Sequence, residues 1–549
     1  MARATISPQL KAYIEGIPKA ELHVHIEGTF EPELMFRIAA RNGLTLDGTP
    51  DSHREERKHL QDLHNSSYGA CRVLQQEQDF YDLMYSYLYR ASVDNVYVAE
   101  ILFSPKMHAS NNVAFETVIN GLSRALADGC RDLGIIGSLI MCFLPYQSEE
   151  DILKSLDDIQ PYTMSIIGIE LMNCDEKETT LPKFNRVYQR AKELGLHVVA
   201  HSDKGGLVDQ RHDHSSVSQV SRFNLTCNLQ CPNGSILDQK LPPHSIPLTL
   251  CPLANEKFGT TQCSSNGKNL IKELLNKGLK VTINSDHPAY LGGYTTENIL
   301  FAATKDGLTE VDVYNICRSA FSASFIPHGN KEQYYREIDH FSVYMGYKAP
   351  PKSITIFGSS AALPGSADYD IGYNAGKLFA SRGFRVVTGG YSGVMAAAAK
   401  GATEEYQSTK SEGGHDVGGC AQGIIAPRVF ATRGPSGNPY NTHIQVAHTL
   451  VDRLGRLLSA SEYFLALQGT IGTIVEAFLV WNVASVRPLC GAKPPKIFLW
   501  KTAWEDPFKQ LGKCISAADM ELLRFVESLE EVLGIVEVDI QDRRSNSTL

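Results

Sequence analysis

The sequence predicts an α/β protein with two domains: a metal-dependent TIM-type (β/α)8 barrel followed by a Rossmann-like open parallel sheet. From about residue 17 to 330, short apolar strands alternate with amphipathic helices, a repeat typical of parallel barrels. After a Pro-containing break at 344–351, a new strand–helix pattern begins. The 549 residues are too many for one ordinary hydrophobic core. We expect a barrel over residues 14–345, a second domain over 352–535 and a tail over 536–549.

The composition narrows the class of protein. Hydrophobic residues make up 43% of the chain and charged residues 21%, and the formal net charge is -9. This negative balance disfavours a nucleic acid or an anionic membrane as partner. The N-terminus lacks the apolar core of a signal peptide, and the twelve cysteines form no Cys-x-x-Cys pair. We therefore expect reduced thiols and a cytoplasmic location, with a nuclear location left open.

The first predicted strand carries two histidines, His23 and His25, and a helix follows it. Residues two apart point to the same face of a strand, so both imidazoles can reach one metal ion. The helix is expected over Pro32–Asn42, because Pro32 suits the first helical position and Gly43 suits the C-terminal cap. The periodicity predicts further helices near 80–90, 114–133 and 181–194.

Two later strands end in further candidate metal ligands, His201 after the run 197–200 and Asp286 after the run 281–285. In a parallel barrel, the chemistry lies at the C-terminal ends of the strands. Three histidines and one aspartate suit Zn2+ if one coordination position stays open for water. The sequence therefore predicts a zinc site that consists of His23, His25, His201 and Asp286.

The runs Pro18–Thr29, Ile246–Asn255 and Asn284–Tyr294 resemble the adenosine/adenine deaminase family. Glu27, which follows the second histidine, and the Gly-Gly-Tyr ending of the third run are more similar to the adenine branch. The resemblance covers about residues 14 to 330 and implies a zinc hydrolase that attacks the purine carbon bearing the amino group. It also implies that the four predicted ligands bind the metal and that Glu27 contacts the substrate.

Three positions depart from the family pattern. The family's acidic glutamate falls on Lys204, its water-orienting histidine on Leu225, and its purine-contacting aspartate on His287, which stays a candidate substrate contact. Three explanations remain open. In the first explanation, the barrel is a catalytically silent relative of the family that is kept for zinc-supported structure, binding or regulation. Alternatively, it is active with altered chemistry and Asp203 as its acid. The third explanation is a frame or splice error over 202–245, which does not account for His287.

Two glycine-rich turns characterise the second domain. One predicted strand leads into Thr388–Met395, and another leads into Gln468–Thr473 and then a helix. Glycine lets the backbone approach a ligand closely, and the N-terminus of a helix favours a phosphate. The two turns predict a phosphate site that consists of Gly389, Gly390, Gly393, Gly469, Thr470, Gly472 and Thr473, and Gly358 and Ser359, at the end of the first strand, are further candidate substrate contacts.

These turns resemble the LONELY GUY type of nucleoside-monophosphate phosphoribohydrolase over about residues 352 to 500. In the family pattern Pro-Gly-Gly-x-Gly-Thr-x-x-Glu, Gln468 replaces the proline and Thr470 replaces the second glycine. The resemblance implies that Glu476 stabilises charge on the ribose and that Arg453 holds the phosphate or the departing base. The structural alternative is that Glu476 caps its helix and Arg453 makes a surface ion pair.

Together, the two resemblances lead to the hypothesis of a purine salvage or catabolism enzyme. The C-terminal domain would hydrolyse AMP or an N6-substituted AMP to the free base and ribose 5-phosphate, and the barrel would deaminate the base. The alternative is a non-catalytic purine-nucleotide sensor or scaffold. We expect purine bases or nucleotides as ligands, no nucleic-acid or membrane partner, and a homo-oligomer that forms through the C-terminal domain.

Overall fold

The computed structural model describes residues 6–59, 69–144, 147–173, 184–202, 220–225, 246–258, 270–348, 352–410, 420–490 and 492–545. The chain divides into two compact units, Met1–Phe341 and Ser342–Leu549. This division lies close to the Pro-containing break in the sequence. Over the described ranges, every helix is too short or too polar to cross a membrane.

The first unit is a barrel of eight parallel strands, counted over the described residues. Each strand pairs with the next one along the chain, in the order β1 to β8. The ring closes because the amide of His25 donates to the carbonyl of Asp286, and the amide of Asp286 donates to the carbonyl of His23, each at 2.9 Å. The predicted barrel is therefore confirmed. The strands are β1 (Lys19–His25), β2 (Val96–Phe103), β3 (Ile136–Phe143), β4 (Ile166–Asn173), β5 (His197–Ser202), β6 (Arg222–Leu225), β7 (Leu248–Leu250) and β8 (Val281–Ile283).

The helices of the barrel follow local sequence signals. Proline occupies the first position of the helix that begins at Pro32, and Gly134 adopts φ 72° at the end of the helix Phe115–Leu133. The helices are Pro8–Gly16, Pro32–Arg41, Pro50–Lys58, Glu77–Val93, Pro105–Ala109, Phe115–Leu133, Glu149–Asp158, Asn185–Glu193, Pro252–Lys257, Leu270–Asn276, Pro288–Leu291, Thr295–Asp306, Glu310–Ala323 and His328–Tyr344.

The second unit is an open, all-parallel sheet of seven strands among the residues that the structure describes. Its strand order, β12-β11-β10-β9-β13-β14-β15, reverses direction on the two sides of β9, which is the pattern of a doubly wound sheet. This confirms the predicted Rossmann-like class. The strands are β9 (Ser353–Phe357), β10 (Arg385–Thr388), β11 (Ala421–Ile425), β12 (His443–Val446), β13 (Tyr463–Ala466), β14 (Lys496–Trp500) and β15 (Leu523–Val526).

Helices cover both faces of this sheet, because alternate strand residues pack into two separate cores. Ile354 and Ile356 of β9 lie in one core, whereas Phe357 lies in the other with Phe464 of β13. The helices of this unit are Ala367–Ser381, Val394–Lys410, Leu450–Ser459, Ile471–Val486, Lys501–Leu511, Ala517–Met520 and Leu529–Ser545.

The expected tail over 536–549 is wrong for residues 536 to 545, which belong to the helix Leu529–Ser545. Val532, Val536 and Ile540 are buried in one of the two cores. Their spacing of four residues places them on one face of a helix, and this stripe packs against the sheet. The last helix is therefore part of the folded unit.

Candidate functional sites

The candidate metal centre lies where the ends of β1 and β8 meet. The Nε2 atoms of His23 and His25 lie 3.7 and 3.8 Å from Oδ1 of Asp286. The three ligand atoms lie within 4.8 Å of one another, and all three residues are buried. Asp286 has φ 59°, a left-handed conformation that side chains other than glycine rarely adopt and that concentrates at functional sites. This cluster of nitrogen and oxygen donors fits a divalent metal ion.

Side chains from neighbouring strands surround the Nδ1 atom of His23. The amide Nδ2 of Asn224 donates to Glu170 Oε1 at 2.7 Å, and its Oδ1 accepts the hydroxyl proton of Thr249 at 2.7 Å. Nδ1 of His23 lies 3.4 Å from the Thr249 oxygen and 3.5 Å from Sγ of Cys251. A proton on Nδ1 leaves the lone pair on Nε2, the nitrogen that faces Asp286.

Asp286 is held as a carboxylate. Burial by itself would raise its pKa, but the hydrogen bond and electrostatic interaction with His287, together with the interactions with His23 and His25, outweigh burial and hold the pKa well below its usual range. Nδ1 of His287 lies 2.8 Å from Asp286 Oδ1, and its ring stacks on His25 with centroids 4.6 Å apart. A Cβ on Gly28 would lie 2.6 Å from the Cα of His287, so only glycine fits below this ring.

Glu27 is a buried carboxylate with two partners from the region after β2. Its Oε1 accepts the backbone amide of Ser104 at 2.9 Å and lies 3.2 Å from Nε2 of His108. Burial alone would raise the pKa of Glu27, but the hydrogen bond and charge of His108 and the Ser104 amide lower it. The sequence analysis missed His108, because a lone histidine in a short helix carries no pattern.

The remaining barrel candidates lie on strands β5 and β6 or beyond them. The backbone of His201 is on β5, in register with Asn224 of β6, and Leu225 ends β6. Asp203 and Lys204 lie outside the described residues. The ligand role of His201 and the acid role of Asp203 therefore stay predictions.

In the second unit, Arg453 and Glu476 form a nearly buried ion pair. Nη1 of Arg453 donates to Oε1 of Glu476 at 3.2 Å, and the two side chains are 6% and 14% exposed. The other contacts of Arg453 reach the strand ends: Nε donates to Ile424 O at 2.9 Å and Nη2 to Gly389 O at 3.2 Å. A Cβ on Gly389 would collide with Nη2 of Arg453, so a side chain at this position would displace the guanidinium.

Glu476 is destabilised as an anion by its surroundings. Burial raises its pKa, and the charges of Arg453 and, more weakly, Arg433 offset only part of that rise. A carboxyl group with a raised pKa beside an arginine is typical of a functional site, although structural ion pairs also shift pKa values. Arg433 carries no signal in the sequence, because it lies in a loop after β11, at the end of the short 3-10 helix Ala431–Arg433.

The predicted glycine turns are adjacent but differ in exposure. The amide of Ser359 donates to Gln468 O at 2.9 Å, and the amide of Val394 donates to Ser359 O at 2.8 Å, so the ends of β9, β10 and β13 meet. Gly358, Gly390, Gly393 and Gly469 lie against neighbouring atoms that a Cβ would meet closely. Thr473 is buried, whereas Thr470 and Gly472 are exposed and a Cβ on Gly472 would meet nothing within 4 Å.

Comparison with known proteins supports both resemblances. The adenosine deaminase family pattern matches residues 18–341, and the SLOG cluster4 family pattern matches residues 351–521. The chain is 39% identical over 335 residues to an adenine deaminase of Vibrio parahaemolyticus, a match that covers 60% of this chain and 98% of the relative.

Two solved structures are similar to the barrel. The crystal structure of an adenine deaminase from Arthrobacter aurescens has 33% identity and a TM-score of 0.52, and covers 59% of this chain and 98% of its own. An amidohydrolase from Burkhoderia ambifaria, solved with bound Zn, has 18% identity and a TM-score of 0.52, and covers 63% and 97% of the two chains. The latter shares the fold. Because the adenosine deaminase pattern covers more than half of the chain, this protein belongs to the adenosine deaminase family, and it is a hydrolase with a C-terminal domain of the SLOG cluster4 family.

Proposed function

We propose that this protein is a purine-nucleotide hydrolase with two sites. The C-terminal unit removes the base from AMP or an N6-substituted AMP, and the barrel deaminates the released adenine-type base. The observation that carries the first step is the buried Arg453–Glu476 pair beside Gly389. The product of the first site is the class of compound on which the similar Vibrio and Arthrobacter enzymes are named to act.

Cleavage of the bond between C1′ and the base leaves positive charge on the ribose. A water molecule adds its oxygen to C1′ and loses one proton, and the departing base takes up one proton in exchange. The Glu476 carboxylate stabilises that charge and accepts a proton from the water. Arg453 holds Glu476 in place and keeps part of its population ionised in a buried setting. The glycine turns let the ribosyl phosphate approach the backbone.

In the barrel, His23, His25 and Asp286, with His201 as the fourth ligand, would hold Zn2+, which would supply an activated water for attack on the purine. The bound Zn of the Burkhoderia relative supports this ion. Glu27, fixed by His108 and Ser104, is in this proposal the group that contacts the base. Asp203 is the proposed acid that protonates the ring nitrogen.

A second candidate function for the barrel is purine binding without turnover. It is favoured by His287, which stands where the family has an aspartate and whose Nδ1 faces Asp286 instead of the substrate site. In this case the barrel holds the base released by the C-terminal unit and acts as a sensor or scaffold.

One experiment separates these functions. The zinc-loaded full-length protein is incubated with AMP, and all products are identified by liquid chromatography and mass spectrometry. We expect adenine, ribose 5-phosphate and hypoxanthine. Glu476→Gln should reduce base release by about 10²-fold or more, because the carboxylate that stabilises the ribosyl charge is lost. Asp286→Asn should remove hypoxanthine alone and let adenine accumulate.

The control is Glu505→Gln, which makes the same change on an exposed helix where Glu505 pairs with Lys509. Its products should match those of the unmodified protein. If Glu476→Gln releases base at the normal rate, Glu476 is not the catalytic carboxylate. If adenine accumulates in the unmodified zinc-loaded protein, the barrel does not deaminate the released base, and the binding role is then tested by the calorimetric affinity for adenine.

We further propose that the C-terminal unit forms a homo-oligomer in the cytoplasm. Large apolar side chains are exposed on its adjacent helices Leu450–Ser459 and Ile471–Val486: Val451 is 79% exposed and Ile471 is 72% exposed. The Arg453–Glu476 pair joins these two helices. Exposed apolar patches of this kind mark protein–protein contacts.

A further inference from the structure

Arg453 makes hydrogen bonds to other groups of the protein through all three of its guanidinium nitrogens. Its three guanidinium nitrogens donate to Ile424, Glu476 and Gly389. Its positive charge is balanced by Glu476. Only two of its five N–H groups remain, and the side chain is 6% exposed, so a second, more accessible cation is needed to recognise the anionic end of a nucleotide.

A loop after β11 lies against the glycine turn that follows β10. The amide of Asn438 donates to Gly390 O at 2.8 Å, and its side-chain Nδ2 donates to Tyr391 O at 3.0 Å. Nδ2 of Asn441 donates to Gly390 O at 3.1 Å. These contacts tie the loop to the backbone that the proposed substrate approaches.

Arg433 is an exposed arginine of this loop that lies beside two aromatic rings. Its Cζ atom lies 4.8 Å from the ring centroid of Phe430 and 5.7 Å from that of Tyr391. Phe430 is also 5.4 Å from Cζ of Arg453, so the two arginines flank one aromatic side chain. Within the described part of the chain, the Arg433 side chain makes no hydrogen bond or ion pair with a carboxylate, and its charge reaches Glu476, where it lowers the carboxyl pKa.

We propose that Arg433 binds the 5′-phosphate of the nucleotide substrate and selects nucleoside monophosphates over nucleosides. This inference rests on the proposed function of the C-terminal unit. The charge balance supports it: the Arg453–Glu476 pair is neutral, and a phosphate dianion placed beside a carboxylate needs an additional cation. Phe430 and Tyr391 hold the guanidinium by cation–π contact and limit its conformations before the phosphate arrives.

The test compares Arg433→Gln, Arg433→Lys and the control Arg428→Gln in the full-length protein. Arg428 is an exposed arginine at the start of the same loop. Steady-state hydrolysis of AMP gives KM and kcat, and calorimetry gives the affinity for ribose 5-phosphate and for adenine. We expect Arg433→Gln to raise KM for AMP and weaken ribose 5-phosphate binding about tenfold, with kcat and adenine affinity within about twofold of normal.

Arg433→Lys should restore part of the lost affinity, since it keeps the charge but not the planar fork. Arg428→Gln should leave all constants unchanged. Equal KM values for AMP in the unmodified protein and Arg433→Gln overturn the inference while the proposed function stands. If the unmodified protein neither hydrolyses nor binds any nucleoside monophosphate, the proposed function fails and the inference falls with it.

Discussion

At the scale of single residues, the chemistry of both sites depends on how burial is offset by neighbouring charge. Asp286 and Glu476 are both buried carboxyl groups, yet their pKa values shift in opposite directions. Asp286 is surrounded by His287, His23 and His25, which together outweigh burial. Glu476 has Arg453 in contact and Arg433 further away, which do not. Asp286 is therefore suited to bind a cation, whereas Glu476 is suited to exchange a proton.

This difference predicts the pH dependence of base release. The pKa of Glu476 is raised in the folded protein, so the carboxylate required for hydrolysis forms only above the ordinary range of a glutamate. We expect the acidic limb of kcat/KM for AMP hydrolysis, which reports the free protein, to lie above that range and to move further up in Arg433→Gln, which removes a charge that lowers this pKa. The rate is measured from acid to neutral pH in the unmodified protein and the variant.

The raised pKa of Glu476 also makes the free energy of unfolding depend on pH. The folded state binds a proton on Glu476 more tightly than the unfolded chain does, so the contribution of this group to the free energy of unfolding falls as pH rises from the unfolded pKa through the folded one. Glu476→Gln should remove that fall. An acidic limb at the ordinary glutamate pKa, unmoved in Arg433→Gln, would contradict the assignment of Glu476.

Some site residues could be predicted from the sequence and others could not. His23, His25 and Asp286 lie at strand ends, where the period of a strand fixes which side chains meet, and the structure brings them within 4.8 Å of one another. His108 and Arg433 reach their sites through a short helix and an irregular loop. Their positions depend on tertiary contacts such as Asn438 to Gly390, which no local periodicity encodes.

At the scale of elements, the last helix shows how packing decides the role of a charged segment. The sequence predicts a tail over residues 536–549, a segment that contains the acidic residues Glu537, Asp539 and Asp542. The apolar residues at 532, 536 and 540 recur with the helical period and are buried in the core of the second unit. The helical spacing of these apolar residues indicates a packed helix, whereas the charged residues between them do not.

The helix offers a matched test of this packing. Val536 is fully buried, whereas Val538 in the same helix is 61% exposed. Val536→Ala leaves a cavity in the core and should lower the free energy of unfolding by about 1–3 kcal/mol. Val538→Ala removes the same atoms from the surface and should change it by less than about 0.5 kcal/mol. Chemical denaturation followed by the fluorescence of the second unit's tryptophans measures both. Equal effects of the two changes would mean that the helix is not packed in solution.

At the scale of the whole molecule, the fold follows from patterns that the sequence carries at every level. Alternating strands and helices predicted both parallel sheets, and the glycine turns fall at strand ends where the topology places ligands. The sequence predicts oligomerisation less well than the fold, because an exposed valine in a helix looks the same in sequence whether or not a second copy covers it.

The proposed homo-oligomer gives the last prediction. Val451 is 79% exposed on the helix that carries Arg453, and Val93, at the end of a barrel helix, is 62% exposed. Sedimentation velocity should show the unmodified chain as an oligomer. Val451→Asp should shift it to the monomer, because an aspartate buried in an interface costs about 1–3 kcal/mol or more unless it is paired. Val93→Asp adds the same charge elsewhere on the molecule and should leave the oligomer intact. A monomeric unmodified chain, or equal dissociation by both variants, would rule out association through this surface. If the oligomer dissociates in Val451→Asp and AMP hydrolysis falls with it, the neighbouring Arg453–Glu476 site depends on the contact between copies.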